Sequence, residues 1–328
     1  MSQRVIFLTN PKSQGVRRKG SRLKNYHNLY PKTVDGLIEI SSESATMDAL
    51  KRLTLTPEDH LFIEGGDGTM QRTLSCLLNI LPSPSDCPKL SLIAGGLTNQ
   101  IAANIGLKAA RNGQIKAVIE SPHKSLCPTP ILKLADKDRP ALYGCLFSTG
   151  ALPFVTQYYE QKVRDSQAGG KTAIAATLIK AVSGSRAARD ELMPATDLHL
   201  HMHEVESADR GHSKTKSTKT KTGPHLGTVV TTLPSLMMGL DPFWGEGTGP
   251  LRVFYAGGRA RRLVRNLTGI WLGRKQIDRS TDDLESYCAQ QLDYQYQGPA
   301  LLDGEPLEIG AKFTLTATPP LPFVTSPK

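Results

Sequence analysis

The sequence lacks the features of a disulfide-rich or membrane-spanning protein. Its five cysteines are an odd number and no two of them form a Cys-x-x-Cys pair, so we expect neither a disulfide framework nor a zinc site. No apolar run reaches the roughly 18 residues that a membrane-spanning helix needs. We therefore predict buried, reduced thiols and a cytoplasmic protein that at most touches the inner membrane surface.

Acidic residues are scarce relative to basic ones. The 328 residues include 40 Lys and Arg against 30 Asp and Glu, which gives a formal charge of +10. This excess favours an anionic partner, and charge alone does not choose among nucleotide phosphates, an acidic membrane and nucleic acid. Because the basic runs lack the interleaved aromatics of a known nucleic-acid module, no nucleic acid is expected.

The chain shows two different sequence patterns, one after the other, and its length fits about two domains. The first part alternates short strand-like and helix-like runs, which predicts a parallel α/β sheet. Beyond residue 125, short strand-like pieces separated by turn residues predict an antiparallel β domain with helical insertions, such as 172–182. The predicted domains are therefore 1–125, α/β, and 126–317, β-rich.

The most informative segment is Gly65-Gly66-Asp67-Gly68-Thr69, which follows a strand-like run and precedes a helix-like one. Glycines let backbone NH groups approach a bulky anion, and the helix N-terminus directs its free donors at the same place. A carboxylate such as Asp67 is reasonable beside phosphates only where a metal ion or another cation is present. The segment predicts a phosphate cradle with a magnesium ligand.

Two further glycine-containing loops also leave predicted strands. The loop from Thr9 to Gly15 contains Asn10 and Lys12, and Lys12 is placed to meet phosphate. The loop from Ala94 to Ala102 contains Gly95 and Gly96 before Thr98 and Asn99, of which Thr98 is a candidate helix cap. The carboxyl ends of parallel strands are where ligands bind. Taken alone, the first of these loops favours an ordinary turn, and the second fits a structural turn nearly as well as a binding loop.

A pair of carboxylates stands near the C-terminus, in the run Asp303-Gly304-Glu305-Pro306. Asp-Gly is a common hairpin turn, so the tripeptide alone favours a turn over a catalytic site.

The four motifs in this order resemble the soluble diacylglycerol kinase and sphingosine kinase catalytic family. They are Asn-Pro-x-Ser at Asn10, Gly-Gly-Asp-Gly-Thr at Gly65, Gly-Gly-x-Thr-Asn at Gly95 and Asp-Gly-Glu-Pro at Asp303. The resemblance implies an α/β nucleotide-binding domain followed by a β-sandwich-like lipid-binding domain, with the active site in the cleft. It also implies that the tail, about 318–328, returns to the first domain.

The resemblance further implies roles for individual residues. Glu305 would act as general base on the hydroxyl of diacylglycerol or a related lipid, supported by Asp303, and Asp67 would orient Mg-ATP directly or through water. The residues implied to shape the ATP site are Asn10, Gly65, Gly66, Asp67, Gly68, Thr69, Gly96, Thr98 and Asn99. The implied partners are a lipid substrate, an anionic membrane in peripheral contact and, as an open alternative, a second copy of the chain.

The sequence departs from the family pattern in two loops. Ala94 stands where the family usually has Pro, Leu97 where it usually has Thr, and Gln14 where the first loop has Gly. Leu97 removes a hydroxyl beside the expected phosphates. Two alternatives therefore stay open: an NAD kinase, which shares Gly-Gly-Asp-Gly-Thr, and a weakly active or inactive lipid- or nucleotide-binding protein.

Four other segments carry weaker signals. Residues 207–224 are rich in Ser, Thr, Lys and Gly and are predicted to be a mobile loop. Residues 252–275 contain seven basic residues and no acid, and fit either an interfacial helix or a helix packed on the core. Residues 169–172 lack the earlier glycine of a phosphate-binding loop. His199, His201 and His203 would share one face of a strand, where an exposed face is favoured over a metal site.

Overall fold

The computed structural model describes residues 3–96, 99–107, 110–154, 156, 194–205, 216–236, 241–245, 249–258 and 283–325. The chain divides into two compact units. The first comprises residues 1–131, 142–144 and 318–328, and the second comprises residues 132–141 and 145–317. Strand β5 (Leu126–Thr129), which the sequence analysis assigned to the second domain, pairs in the sheet of the first unit.

The first unit contains a six-stranded sheet with the order β2-β1-β3-β4-β17-β5. Neighbouring strands from β2 to β17 are parallel, and β5 is antiparallel to β17. The order reverses between β1 and β3, which is where parallel α/β sheets place their ligand crevice. The strands besides β5 are β1 (Val5–Thr9), β2 (Gly36–Glu39), β3 (His60–Gly65), β4 (Lys89–Ala94) and β17 (Leu321–Val324).

Helices cover this sheet. The central strands β1 and β3 are buried along their whole length, as continuous apolar runs in parallel sheets usually are. Phe7 packs edge-on against Tyr26 and Phe62 at the centre of the core. The helices are α1 (Gln14–Lys19), α2 (Arg22–Leu29), α3 (Glu43–Leu53), α4 (Asp67–Ile80), α5 (Gln100–Ile105) and α6 (Asn112–Glu120).

The basic segment after β1 folds as two short helices. Helix α1 ends at Gly20, whose φ of 76° lies in the left-handed region that favours glycine. Ser21 then caps α2, because its side chain accepts a hydrogen bond from the Lys24 backbone NH. This break turns the chain back towards the carboxyl edge of the sheet.

The second unit is built on an antiparallel sheet in the order β15-β14-β8-β10-β9-β13-β16-β6, and β10 also pairs with β11, which pairs with β12. This agrees with the predicted fold class, an α/β part followed by a β part. Tyr294 and Phe313 stack at 4.9 Å on neighbouring strands of its core. The strands are β6 (Leu132–Asp136), β8 (Leu146–Gly150), β9 (Thr196–Val205), β10 (Lys216–Thr231), β11 (Leu251–Gly257), β12 (Leu284–Ala289), β13 (Gln291–Tyr296), β14 (Ala300–Leu302), β15 (Glu305–Leu307) and β16 (Lys312–Ala317), while β7 (Leu142–Gly144) groups with the first unit.

Part of the predicted mobile loop is a strand. Residues 216–225 pair in antiparallel register with β9, so the loop prediction is wrong from residue 216 onwards. Thr218, Thr220 and Thr222 alternate with lysines, and a β-branched residue at every second position is the period of a strand with one exposed face.

Several predicted segments lie outside the described residues. They are the rest of the basic loop, 207–215, the helical insertion at 172–182, the segment 169–172, and 259–275 of the basic amphipathic stretch, whose first residues belong to β11. Within the ranges that the structure does describe, no helix is both long and apolar enough to cross a bilayer.

All five cysteines are free, as predicted. Cys76, Cys87 and Cys145 are buried, whereas Cys127 is exposed on the edge strand β5, which corrects the prediction that every thiol is buried. Burial raises the pKa of Cys76 to about 11, and the nearby Glu43 carboxylate adds to the rise. The Cys76 thiol is thus held in its protonated, unreactive form.

Candidate nucleotide site

Three loops of the first unit meet at the carboxyl edge of its sheet, and backbone hydrogen bonds join them. The Gly15 NH donates to the Gly95 carbonyl at 2.8 Å, and the Gly95 NH donates to the Gly65 carbonyl at 2.7 Å. We call the loops after β1, β3 and β4 the first, second and third loops. The third loop is bonded to each of the other two, so all three lie together at this edge of the sheet.

The glycines of these loops are required by the close packing of one loop on another. A Cβ on Gly96 would lie 2.5 Å from the Gly66 Cα, and a Cβ on Gly15 would lie 2.7 Å from the Gly95 carbonyl oxygen. A Cβ on Gly65 would meet the Thr69 side chain at 2.6 Å. The sequence analysis attributed these glycines to an approaching anion, whereas the structure assigns them first to the contacts between loops.

Asn10 braces the first two loops. Its Nδ2 donates to the Thr69 Oγ1 at 2.8 Å, and its Oδ1 accepts the Lys12 backbone NH at 2.9 Å. Ser13 Oγ lies 3.3 Å from the same threonine oxygen and accepts the Gly66 backbone NH at 3.3 Å. Asn10 and Thr69 are both buried. The pair therefore fixes the loop that precedes α4.

Asp67 occupies the N-terminus of α5. Its Oδ2 accepts the Gln100 backbone NH and its Oδ1 accepts the Ile101 backbone NH, each at 3.0 Å. These NH groups have no partner within the helix, so a carboxylate is well placed to satisfy them. The Asp67 side chain is 6 % exposed. It positions the helix that follows the third loop.

Asn99 closes the third loop on itself. Its Oδ1 accepts the Gly96 NH at 2.7 Å and its Nδ2 donates to the Gly96 carbonyl at 2.9 Å. Asn99 has a φ of 51°, a left-handed conformation that Asn tolerates better than most residues, and it precedes the first residue of α5. Leu97 and Thr98, a departure and a predicted ATP-site residue, lie outside the described residues.

The first and third loops, with Glu64 of β3, line a cavity of ≈ 220 Å³ in the first unit. Of the predicted ATP-site residues that the structure describes, only Gly96 and Asn99 are among its lining residues. Arg18, Lys19 and Arg22 give it positive charge, and Glu64 is the one carboxylate among its lining residues. The lining residues are Gln14, Gly15, Val16, Arg18, Lys19, Gly20, Arg22, Glu64, Ala94, Gly95, Gly96 and Asn99. A concave site with cations beside loop backbone suits an anionic ligand.

Glu64 and Arg22 are site residues that the sequence analysis missed. The Glu64 carboxylate is 1 % exposed and accepts hydrogen bonds from Ser21 Oγ at 2.5 Å and the Arg22 NH at 2.9 Å. It thus fixes the start of α2, and Arg22 Nη1 donates to the Ala94 carbonyl at 2.8 Å. The sequence did contain a sign of Glu64's role: it is a carboxylate inside an apolar strand and next to a glycine loop. A buried carboxylate needs hydrogen-bond donors around it, so donors from another segment could have been expected.

Asp67 is the carboxylate that the sequence analysis implied as the magnesium ligand. In the described part of the chain, no group of three or more His, Cys, Asp and Glu side chains is arranged to hold a metal. Magnesium beside phosphates usually keeps several waters and takes only one or two carboxylates. Both Asp67 oxygens accept a backbone NH of α5, so a magnesium ion that meets this carboxylate through its own waters would leave those two hydrogen bonds in place.

The acidic pair forms a tight turn in the second unit. Asp303 and Gly304 have φ values of 53° and 88°, as the type I′ turn of a hairpin requires, and they join β14 to β15. The Asp303 carboxylate accepts the Cys145 NH at 3.0 Å and the Leu146 NH at 2.9 Å. Asp303 thus anchors the hairpin to the start of β8, and Glu305 is exposed as the first residue of β15.

Three solved structures share the fold. Two provisionally assigned diacylglycerol kinases from Bacillus anthracis str. Sterne match with TM-scores of 0.62 and 0.60, each at 13 % identity over 95 % of this chain and 92 % and 94 % of theirs. A diacylglycerol kinase from the same organism matches with a TM-score of 0.54 at 12 % identity, over 99 % of this chain and 97 % of its own. At such identity the likeness concerns the fold.

A search of the curated proteins found no match to this chain. The model of the diacylglycerol kinase catalytic domain family matches residues 4–126, which span all three glycine loops. Residues 4–126 thus match the diacylglycerol kinase catalytic domain family, which confirms the resemblance over the three glycine-loop motifs, while the fourth motif at Asp303 lies beyond the matched residues.

Proposed function

We propose that the chain is an ATP-dependent lipid kinase that transfers the γ-phosphate to a hydroxyl of diacylglycerol or a related lipid. The observation that carries the proposal is the basic cavity lined by the first and third loops, the third of which is hydrogen-bonded to the Gly65 loop, inside a segment that matches the diacylglycerol kinase family. The fold and the family are consistent with this substrate class. The identity of the lipid is part of the proposal.

The nucleotide side of the reaction rests on the first unit. Phosphoryl transfer depends mainly on positioning and on stabilising charge over the transferred phosphate. Arg18, Lys19 and Arg22 supply positive charge along the cavity, and the loops between them supply a rigid backbone edge. A magnesium ion, when bound with ATP near Asp67, would supply further neutralisation of phosphate charge. The residues Asn10, Thr69 and Asn99 hold the loops in shape.

The acceptor side rests on the second unit. We propose that Glu305 accepts the proton of the lipid hydroxyl as the hydroxyl oxygen bonds to the γ-phosphorus and the bond to the leaving ADP oxygen breaks. Glu305 is exposed, so a substrate can reach it without rearrangement of the hairpin. Asp303 is a positioning residue in this proposal, because its carboxylate holds the turn that carries Glu305 against the start of β8. Peripheral contact with an anionic membrane, favoured by the formal charge of +10, would bring the lipid to this residue.

Two alternatives remain in view. An NAD kinase shares the Gly-Gly-Asp-Gly-Thr segment but places no demand on the late acidic turn. A nucleotide- or lipid-binding protein without activity would explain the departures at Ala94 and Leu97. The structure does give Ala94 a role that does not need proline, since its carbonyl accepts the Arg22 side chain.

The acceptor is tested by incubating the protein with labelled ATP, Mg²⁺ and a panel of lipids together with NAD, then identifying the labelled product. Label in a diacylglycerol or another glycerolipid supports the proposal. Label in the NAD product alone contradicts it in favour of an NAD kinase. Bound ATP with no labelled product supports the inactive binding protein.

A further inference from the structure

A pair of histidines on the second unit, neither of which is used in the proposed function, is spaced so that it can chelate a metal ion. We propose that His199 and His201 bind a late first-row divalent cation, Cu²⁺ or Ni²⁺, through their Nε2 atoms. The sequence analysis favoured an exposed strand face over a metal site for this His-x-His-x-His run. For the first two histidines, the 2.8 Å distance between their Nε2 atoms favours a metal site instead.

Strand β9 places both imidazoles on one face. His199 and His201 are two residues apart, so their side chains project to the same side of the sheet. Their partners across β10 are Thr222 and Thr220, which project to that side as well. Both histidines are partly exposed, so a hydrated cation can reach them.

The two Nε2 atoms lie 2.8 Å apart. With metal–nitrogen bonds of about 2.0–2.1 Å, two ligands at neighbouring corners of an octahedron or a square have nitrogens roughly 2.9 Å apart. A tetrahedral ion would need roughly 3.3 Å between them. The observed separation of 2.8 Å therefore matches the spacing of two adjacent corners of an octahedral or tetragonal ion more closely than that of a tetrahedral zinc ion.

The other nitrogen of each ring is held by a threonine. His199 Nδ1 lies 2.8 Å from Thr222 Oγ1, and His201 Nδ1 lies 3.0 Å from Thr220 Oγ1. Metal-binding histidines usually donate their second ring NH to such a partner, which fixes the ring and leaves the Nε2 lone pair for the metal. Without metal, the 2.8 Å contact is a hydrogen bond in which one ring donates its Nε2 proton to the other Nε2. A cation would replace this bond once that ring carries its proton on Nδ1, where the threonine oxygen accepts it.

The site has two protein ligands. His203, the next histidine on this face, is engaged at 2.8 Å by Asp293, which also accepts hydrogen bonds from Gln291 and Thr314. Across the described residues, no set of three or more His, Cys, Asp and Glu forms a metal cluster. Water or a small ligand therefore completes the coordination. Among divalent ions, imidazole sites favour Cu²⁺ most and then Ni²⁺, which also prefer the octahedral or tetragonal geometry found here.

The test is a calorimetric titration of the full chain, without a polyhistidine tag, with NiCl₂ at neutral pH. We expect one site in the wild type, and an affinity lower by at least ~10-fold in both His199→Gln and His201→Gln. The matched control is His203→Gln, which removes a histidine from the same face of the same strand and should retain the wild-type affinity. MgCl₂ should show no binding at this site, because imidazole is a poor ligand for magnesium.

The electron paramagnetic resonance spectrum of the Cu²⁺ complex provides a second readout. Hyperfine structure from two imidazole nitrogens in the wild type, lost in the His199→Gln/His201→Gln double variant, supports the proposal. Nickel affinity that is unchanged in the double variant, or that falls as much in His203→Gln as in His201→Gln, would overturn it. The thermal unfolding midpoint of each variant, measured without metal, separates loss of ligand from loss of fold.

Discussion

The Asp67 carboxylate accepts a 3.0 Å hydrogen bond from the Ile101 backbone NH, in the first turn of α5. This contact joins the glycine loop after β3 to the helix that follows the loop after β4. Gln100 donates to the other carboxylate oxygen at the same distance. The aspartate of the most informative sequence segment thus joins the second loop to α5, and it is also the residue proposed to meet the metal ion.

Replacing Asp67 by Asn should lower both activity and stability. An amide offers one acceptor oxygen, so one of the two backbone NH groups of α5 loses its partner. We expect the free energy of unfolding to fall by about 1–2 kcal/mol and phosphate transfer to fall by more than ~100-fold. Urea denaturation and a labelled-ATP transfer assay measure the two effects.

The matched control for this variant is Asp48→Asn on α3, where the side chain is exposed. It should change the free energy of unfolding by no more than about 0.5 kcal/mol, which is the usual size of a surface substitution's effect, and it should leave phosphate transfer at the wild-type rate. An Asp67→Asn protein that unfolds like the wild type would show that the hydrogen bonds to α5 contribute nothing. One that keeps full activity would remove Asp67 from the proposed metal site.

Gly96→Ala should damage the loops selectively. The added Cβ would lie 2.5 Å from the Gly66 Cα, a backbone atom that cannot move without separating the second and third loops. We expect the affinity for ATP, measured by calorimetry, to fall by at least ~10-fold. The secondary structure seen by circular dichroism should persist, because the strands behind the loops keep their own core.

Gly113→Ala in α6 is the matched glycine control, since nothing lies within 4 Å of its added Cβ. It should leave ATP affinity unchanged and stabilise the fold by roughly 0.5 kcal/mol, because alanine favours a helix over glycine. Equal ATP affinities for Gly96→Ala and the wild type would contradict the assignment of these glycines to the nucleotide site.

Glu305→Gln should abolish transfer while leaving stability unchanged. The residue is exposed on a short strand, so an isosteric amide costs little in folding. Loss of the base should lower kcat by roughly 100–10,000-fold with little change in the KM for ATP. Steady-state kinetics with a diacylglycerol substrate measure this separation of kcat from KM.

Glu308→Gln provides the comparison, because this glutamate is also exposed and lies three positions further along. Its kcat should equal that of the wild type. If Glu305→Gln keeps the wild-type kcat, Glu305 is not the base and another residue takes that role. Asp303 would be a poor substitute, because its carboxylate already accepts the Cys145 and Leu146 NH groups.

His60 gives the first unit an acid-sensitive core. Its ring is fully buried in β3 beside Phe62, and its Nε2 lies 2.9 Å from Ser91 Oγ. Burial, with a smaller contribution from Lys89, lowers the pKa of His60 from 6.5 to about 3. Below pH 6.5 the unfolded chain binds a proton that the folded chain does not, so stability falls as the pH falls towards 3.

The His60→Gln variant should lack this dependence. Relative to the variant, the wild-type free energy of unfolding should fall by about 2 kcal/mol between pH 7 and pH 5. Urea denaturation at the two pH values measures the difference. His123→Gln, at an exposed position, should retain the full wild-type dependence. A wild-type curve parallel to that of His60→Gln would mean that the folded chain protonates His60.

The α/β half could be predicted because its signals are local. Strands β1, β3 and β4 are short, mainly apolar runs, and each is followed by a loop and then a helix, with paired glycines at the ends of β3 and β4. The second unit was harder to predict, because strands such as β13 and β14 pair with residues far away in sequence. The strand character of 216–224 was hidden by its polar composition, although threonine at every second position was visible.

The site could be predicted only in part. The ordered motifs made Asn10, Asp67 and Asn99 candidate site residues, but the partners of Asn10 and Asp67 lie in other loops and follow from tertiary packing. Glu64 was missed for the same reason: its donors begin 41 residues away in sequence, at Leu23. The glycines were found by pattern, and the physical requirement behind them became clear only from the contact between Gly66 and Gly96.

The most direct test of the account compares two labelled forms of ATP. The protein is incubated with Mg²⁺, diacylglycerol in mixed micelles and ATP that carries its label at either the γ- or the α-phosphorus, and the lipid is then extracted. A lipid kinase predicts label in the lipid from γ-labelled ATP and none from α-labelled ATP. Lipid that stays unlabelled with both forms, while NAD in a parallel reaction acquires the γ-label, would contradict the central claim.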